Sequence, residues 1–249
     1  MSQYFLPYIE VDLTNRCNFN CARCSHFSPL ANANIMDYDF DTFVSDMKEL
    51  SKKFVVGTIR LMGGEPLLIP NLLDYAKVTR ECFYYAKISI VSNGILQDVI
   101  DKLSPELEKL NIFIAVSDHI GRMSSNSTNV HVRPYTSFRG LDLSEAPIYD
   151  GKVSKAYCNP KTCVSMYMGR IYYCPVMKNL ATLEKAFNLN FKLPEEERSI
   201  DLYNLSSEDI LKRLYDVQYW EHLCRHCPST WNTFAVTPST RQIDEWIKK

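Results

Sequence analysis

Nine cysteines are the side chains best able to do chemistry in this chain of 249 residues. Cys17, Cys21 and Cys24 stand in the run CNFNCARC, a Cys-x3-Cys-x2-Cys spacing directly after a strand-like stretch. Three thiolates in one short loop can bind three irons of a [4Fe–4S] cubane and leave the fourth open to a chelating molecule. A zinc ion would need a fourth ligand nearby, and His26 could serve. A second group, Cys158, Cys163, Cys174, Cys224 and Cys227, offers five thiols where one cluster needs four. A four-cysteine zinc ribbon also pairs thiols across a hairpin and a CxxC, so zinc is the rival occupant there too. His226, inside that CxxC, is expected beside the ligands or in solvent. Cys82 stands apart on an apolar helix face and reads as a small buried hydrophobe.

The elements that must position these thiols alternate. Residues 8–14 read as a strand, with Ile9, Val11 and Leu13 on one face and Glu10 and Asp12 on the other. Residues 39–54 read as a helix, with Phe40, Phe43, Val44, Met47, Leu50 and Phe54 at helical spacing. Strands are expected over 58–62, 87–92 and 112–116, and a short one over 130–132. A helix from about Asn71 and another carrying Leu96, Val99, Ile100 and Leu103 separate them. Such alternation implies parallel βαβ units. The run 118–129 is too polar for a convincing further helix, so about five parallel strands and an incomplete (β/α) barrel are expected. After Pro134 the alternation stops. Residues 136–156 read as loop, with Gly140, Pro147 and Gly151 as breakers. Residues 164–174 read as a hairpin turning at Gly169, and a capping box at 205–209 opens a helix carrying Ile210, Leu211, Leu214 and Tyr215. The expected division is a core over 1–135, a crossover over 136–155, and an auxiliary region with tail over 156–249.

Composition narrows the function classes. Hydrophobic residues make up 46% and aromatics 12%, enough for a packed core. Lys and Arg total 28 against 29 Asp and Glu, a net charge of −1, which disfavours a nucleic-acid binder driven by phosphate attraction. No apolar run approaches the roughly 18 residues of a membrane span. No basic leader precedes the first strand. Reduced thiols and a cytoplasmic location are therefore expected.

Three motifs together resemble the radical S-adenosylmethionine (SAM) superfamily. The first is the cysteine loop after the first strand. The second is Gly63-Gly64-Glu65-Pro66 at the end of the second strand, similar to the family's GGE motif. The third is Ser92-Asn93-Gly94 at the end of the third, similar to its ribose-contacting segment. Strand C-termini are where α/β folds bind ligands. The resemblance implies a [4Fe–4S] cluster on Cys17, Cys21 and Cys24. It also implies a SAM site with Gly63, Gly64, Glu65 and Pro66 at the methionine end and Ser92 and Asn93 at the ribose. Arg23 replaces the aromatic residue usual before the third cysteine and could stack on adenine. The region from Cys158 to Cys227 resembles the short auxiliary form called twitch, related to SPASM. That implies a second [4Fe–4S] cluster on four of the five thiols, with Cys158 or Cys163 as the alternative fourth ligand.

The family's chemistry is reductive cleavage of SAM to a 5′-deoxyadenosyl radical, with the electron coming from a flavodoxin or ferredoxin. Short members with one auxiliary cluster include an aminocyclitol dehydrogenase. The resemblance thus implies dehydrogenation or epimerisation of a sugar or aminocyclitol. The rivals are a peptide maturase and a non-catalytic metal-binding module. Substrate contacts are expected among Asp12, Asn15, Arg16, His26, Ser117, Asp118, His119, Arg133 and Arg139, with His26, His119 and Arg133 foremost.

Overall fold

A computed structural model describes residues 3–119, 121, 123, 125, 127–158, 163–230 and 232–248. Its first half follows the alternation. β1 (Tyr4–Thr14), β2 (Phe54–Gly63), β3 (Lys87–Ser92), β4 (Ile112–Asp118) and β5 (Val130–Pro134) are all parallel, paired in the order β5-β4-β3-β2-β1. The helices α1 (Phe40–Lys53), α2 (Leu72–Cys82) and α3 (Gln97–Lys109) connect them. Asp39 opens α1 by accepting from Thr42 N, and Phe43, Met47 and Leu50 bury its inner stripe. Those residues join Ile9, Val11 and Leu13 of β1 in one hydrophobic core. The polar residues Glu10 and Asp12, on the opposite side of β1, are buried as well. Covering on both faces is the rule for a parallel sheet, and here the inner face is lined with chemistry.

The second half extends the same sheet. After β6 (Ser137–Arg139) and α4 (Gly151–Tyr157), β7 (Ser165–Tyr167) pairs parallel to β1, with Glu10 against Ser165 and Val11 against Met166. β8 (Arg170–Tyr172) and β9 (Ser199–Asp201) follow antiparallel, completing eight strands in the order β5-β4-β3-β2-β1-β7-β8-β9. The expected hairpin is β7–β8, turning through Gly169 at φ +71°. It is continuous with the core sheet. The helices α5 (Pro175–Phe187), α6 (Glu195–Arg198), α7 (Ser207–Tyr215) and α8 (Val217–Cys224) pack around it, and β10 (Thr233–Ala235) pairs antiparallel with β6. α7 begins at the capping box, with Ser206 accepting from Asp209 N.

One difference from expectation has a physical cause. The loop-rich stretch 136–156 contains α4, which Asp150 starts by accepting from Lys152 N and Val153 N. Gly151 opens that helix because a Cβ there would lie 2.2 Å from Glu221 O, so it permits close packing against α8. The polar run 118–129 falls partly outside the described residues. No helix among the described residues is long and apolar enough to cross a membrane.

Candidate functional site

The inner face of the sheet and the thiol loops enclose one cavity of about 730 Å3. Cys17, Cys21 and Cys24 line one part of it; Cys158, Cys163, Cys174, Cys224 and Cys227 line another. Eight of the nine cysteines thus face a common chamber. Cys82, at the end of α2, packs against the hydrophobic core instead.

The first thiol loop is held by residues distant in sequence. Ala22 N donates to Thr237 O, Ser239 N to Asn20 O, and Trp246 Nε1 to Cys24 O at 3.1 Å. Residues 232–248 therefore form a strap across the loop. Arg23 belongs to this clamp: its guanidinium pairs with Asp142 at 3.1 Å and lies 3.7 Å from the centre of the Phe234 ring. Arg23, the group expected to stack on adenine, also lines the chamber. An aromatic face exists elsewhere in the chamber, where Phe19 stacks on His119 at 5.4 Å, beside Tyr135 and Phe138.

Behind the loop lies a buried charge chain. Lys178 Nζ on α5 donates to Asp12 Oδ2 at 2.7 Å, and neither side chain has any exposed surface. Asp12 Oδ1 lies 3.7 Å from His26 Nε2. Burial alone would push the Asp12 carboxyl up, but Lys178 and then His26 hold it well below the usual carboxylate range. Burial opposes the His26 cation, yet Asp12 and Cys24 push its pKa up to about 10. His26 in turn pulls the Cys24 thiol below its ordinary value, against the effect of burial.

The two glycine loops are tied to β1 and to each other. Gly64 N donates to Thr14 O at 2.6 Å and Glu65 N to Arg16 O at 2.8 Å. A Cβ on Gly63 would sit 2.2 Å from Thr14 O, and one on Gly64 2.1 Å from Arg16 O, so only glycine allows this contact. Gly63, Gly64, Ser92 and Asn93 line the chamber. Asn93 Nδ2 donates to Asn18 Oδ1 at 2.8 Å and approaches Cys17 Sγ at 3.5 Å. Pro66 is buried at the start of the 3-10 turn after Glu65. Glu65 has no exposed surface; its carboxylate accepts from Leu67 N at 3.1 Å and Asn93 N at 2.8 Å. One backbone bond on each oxygen leaves further acceptor capacity on the carboxylate.

Among the second thiol group, Cys174, Cys224, Cys227 and Cys158 act electrostatically on one another. Glu10 acts first on Cys163, and Cys174 and Cys158 act on it as well. Burial pushes the Cys174 thiol up to about 12 and Cys224 to about 11. Thiols so placed stay protonated unless a cation takes them, which is the environment a metal centre exploits.

Residues 11–119 match the family described as "Radical SAM superfamily". That stretch belongs to the radical SAM superfamily. It contains all three thiols of the first loop and both glycine loops. Molybdenum cofactor biosynthesis protein 1 of Bos taurus is 30% identical over 105 residues, 42% of this chain and 16% of the relative. GTP 3′,8-cyclase of Clostridium perfringens is 30% identical over 112 residues, 43% of this chain and 34% of the relative. The chain therefore spans about a third or less of these relatives' length. In three dimensions it is similar to BtrN, solved in complex with AdoMet and 2-DOIA. The TM-score is 0.55 at 16% identity, over 99% of this chain and 98% of that one. A SeMet BtrN structure in an open conformation gives 0.53 at 19%, over 91% and 88%. The likeness extends the shared fold past the radical SAM stretch to nearly the whole chain.

The donor set of the radical SAM stretch fits the family's cluster: three thiols in one loop, with Asn93 and His26 as hydrogen-bonding neighbours. No three His, Cys, Asp or Glu groups among the described residues converge as they would on a single ion. Of the remaining candidates, His119 and Ser117 line the chamber, as does Arg139, which also reaches Tyr157 O at 3.4 Å. Arg133 is exposed and does not line it. Asn15 is buried with its amide on Asn34 O, Arg16 pairs with Asp37 at 2.8 Å, and Asp118 accepts from Gly121 N and Met123 N. These three shape loops. The sequence reading passed over Glu10, Lys178 and the strap; alternation of acidic and apolar residues along β1 was the only signal, and it marked Glu10.

Proposed function

We propose that the chain is a radical SAM enzyme that removes hydrogen from a small polyhydroxylated substrate, a sugar or aminocyclitol, with dehydrogenation favoured over epimerisation. The observation that carries the reading is the single chamber lined by both thiol groups. A first [4Fe–4S] cluster on Cys17, Cys21 and Cys24 with SAM would supply a 5′-deoxyadenosyl radical, given an electron from a flavodoxin or ferredoxin. Gly63, Gly64, Ser92 and Asn93 would hold SAM through backbone and polar contacts, with the Phe19–His119 stack at hand for its base. Cys158, Cys174, Cys224 and Cys227 would hold the second cluster, whose chemistry is to take up an electron from an oxidising substrate.

The remaining residues orient and exclude. Phe19, His119, Tyr135 and Phe138 wall off part of the chamber, and Val176, Met177 and Leu223 lie along its lining. Such a partly apolar enclosure protects a reactive centre from water. The likeness to BtrN, whose structure holds AdoMet and 2-DOIA, supports an aminocyclitol-like substrate. The test is metal and product analysis of anaerobically purified protein. About eight irons per chain and formation of 5′-deoxyadenosine on reduction with SAM are expected. Zinc without iron would establish the metal-binding module in its place.

A further inference from the structure

Glu10 is a carboxylate with half of its bonding left open. The residue is 4% exposed on β1, between a parallel partner on each side: Arg60 on β2 and Ser165 on β7. Tyr8 Oη donates to its Oε1 at 2.6 Å, which fixes the plane of the group. Oε2 is buried and accepts from no N–H or O–H of the described residues, the Cys163 thiol being the polar neighbour that acts on the carboxylate, and Ser165 Oγ is likewise without a partner among them. The side chain lines the chamber, with Arg60 and Cys163 on the same wall. A buried carboxylate oxygen without a donor is unfavourable, and structures retain such groups where a ligand completes them.

We propose that Glu10 is the recognition carboxylate of this chamber, its Oε2 accepting from a hydroxyl or ammonium group of a small polar substrate. This rests on the radical SAM reading and adds the group that selects the substrate. Tyr8 holds the carboxylate in place before the ligand arrives, so little rotamer freedom is lost on binding. Burial pushes the Glu10 carboxyl up and Arg60 and His26 act against that, so a hydroxyl or ammonium donated to Oε2 would favour the ionised form. The chemistry therefore selects donors: polyols and amines.

Cys163 gives this site a reporter, because Glu10 is the first charge acting on its thiol and both line the chamber. The experiment uses SAM-loaded, iron-replete protein under anaerobic conditions. It follows alkylation of Cys163 by iodoacetamide using mass spectrometry, with two cyclitol probes. One is 2-deoxystreptamine, which carries ammonium groups; the other is the neutral scyllo-inositol. At least one probe is expected to slow alkylation of the parent. In Glu10→Gln the concentration for half-protection should rise about tenfold or more, as for loss of a hydrogen bond to a charged acceptor, with iron content unchanged. Protection by 2-deoxystreptamine and not by scyllo-inositol assigns an ammonium donor, and protection by scyllo-inositol assigns a hydroxyl. If Glu10→Gln does not fold, Glu10→Asp, which withdraws the carboxylate from the chamber, replaces it with the same expected direction. Equal half-protection in parent and variant, or no protection of the parent by either probe, overturns the assignment of Glu10. Absence of 5′-deoxyadenosine from the parent would instead overturn the radical SAM reading.

Discussion

The Glu65 carboxylate accepts from the Asn93 backbone N–H at 2.8 Å and thereby latches the loop after β2 to the loop after β3. Its other oxygen accepts from Leu67 N, so one buried side chain sets the separation of two segments that line the chamber. Glu65→Gln turns one acceptor into a donor facing an N–H group. SAM affinity is expected to fall about tenfold or more while iron content stays at the parent value. Equilibrium dialysis with labelled SAM measures this, and equal affinity would show that the latch does not shape the SAM site.

Replacing Cys17, Cys21 and Cys24 together by Ala should abolish 5′-deoxyadenosine formation and remove about half of the iron. The two thiol groups line different parts of the chamber wall and share no ligand. Iron content alone separates the outcomes: loss of all iron would mean that the two sites assemble as one.

The fifth thiol gives a paired prediction. Cys158 acts on Cys174, Cys224 and Cys227, whereas Glu10 acts on Cys163 ahead of Cys174 and Cys158. Cys158→Ala should therefore lose the second cluster, and Cys163→Ala should keep it. Iron and sulfide analysis with electron paramagnetic resonance of the reduced proteins decides between them. The reverse pattern would assign Cys163 as the ligand.

Lys178→Met should destabilise the fold by about 3–5 kcal/mol, because it strands the Asp12 carboxylate in the interior. The pH dependence follows from the sign of the shift. Asp12 has a folded pKa below its unfolded value, so its contribution is present above about pH 4 and is lost as pH falls toward the folded value. In Lys178→Met the carboxylate loses its main stabilising charge and that acid-side loss should flatten. Denaturant titrations over a pH series record both effects. The double variant Asp12→Asn, Lys178→Met should recover part of the stability, since it removes the buried carboxylate together with its ammonium partner.

Much of this arrangement could be read from local pattern. Ile9, Val11 and Leu13 alternate with Glu10 and Asp12, which marks β1 and both of its faces. The cysteine loop and the two glycine loops each follow a strand end, so their place at one rim of the sheet was legible from order alone. What escaped involves partners far apart in sequence. Lys178 meets Asp12 across 166 residues and Trp246 meets Cys24 across 222. Neither contact leaves a periodic trace near either residue. α5 was also missed, although Pro175 at its first turn and Val176, Met177, Leu180 and Leu183 supply its start and buried stripe. The disposition of Cys158 and Cys163 depends on which one faces Glu10, and spacing carries no information about facing.

The strap also dictates an order of assembly. On the ribosome the CNFNCARC loop emerges more than two hundred residues before the segment that closes over it, since Trp246 lies 222 positions after Cys24. Until that segment arrives, the Cys24 carbonyl, Asn20 and Ala22 lack the partners that fix the loop. The three thiols thus spend synthesis on an unsecured turn, accessible to whatever machinery delivers iron and sulfide. Docking of the last strand and the tryptophan then comes after that window. Folding of the loop is therefore completed by the joining of two distant stretches of chain, and such long-range closure is the slow kind.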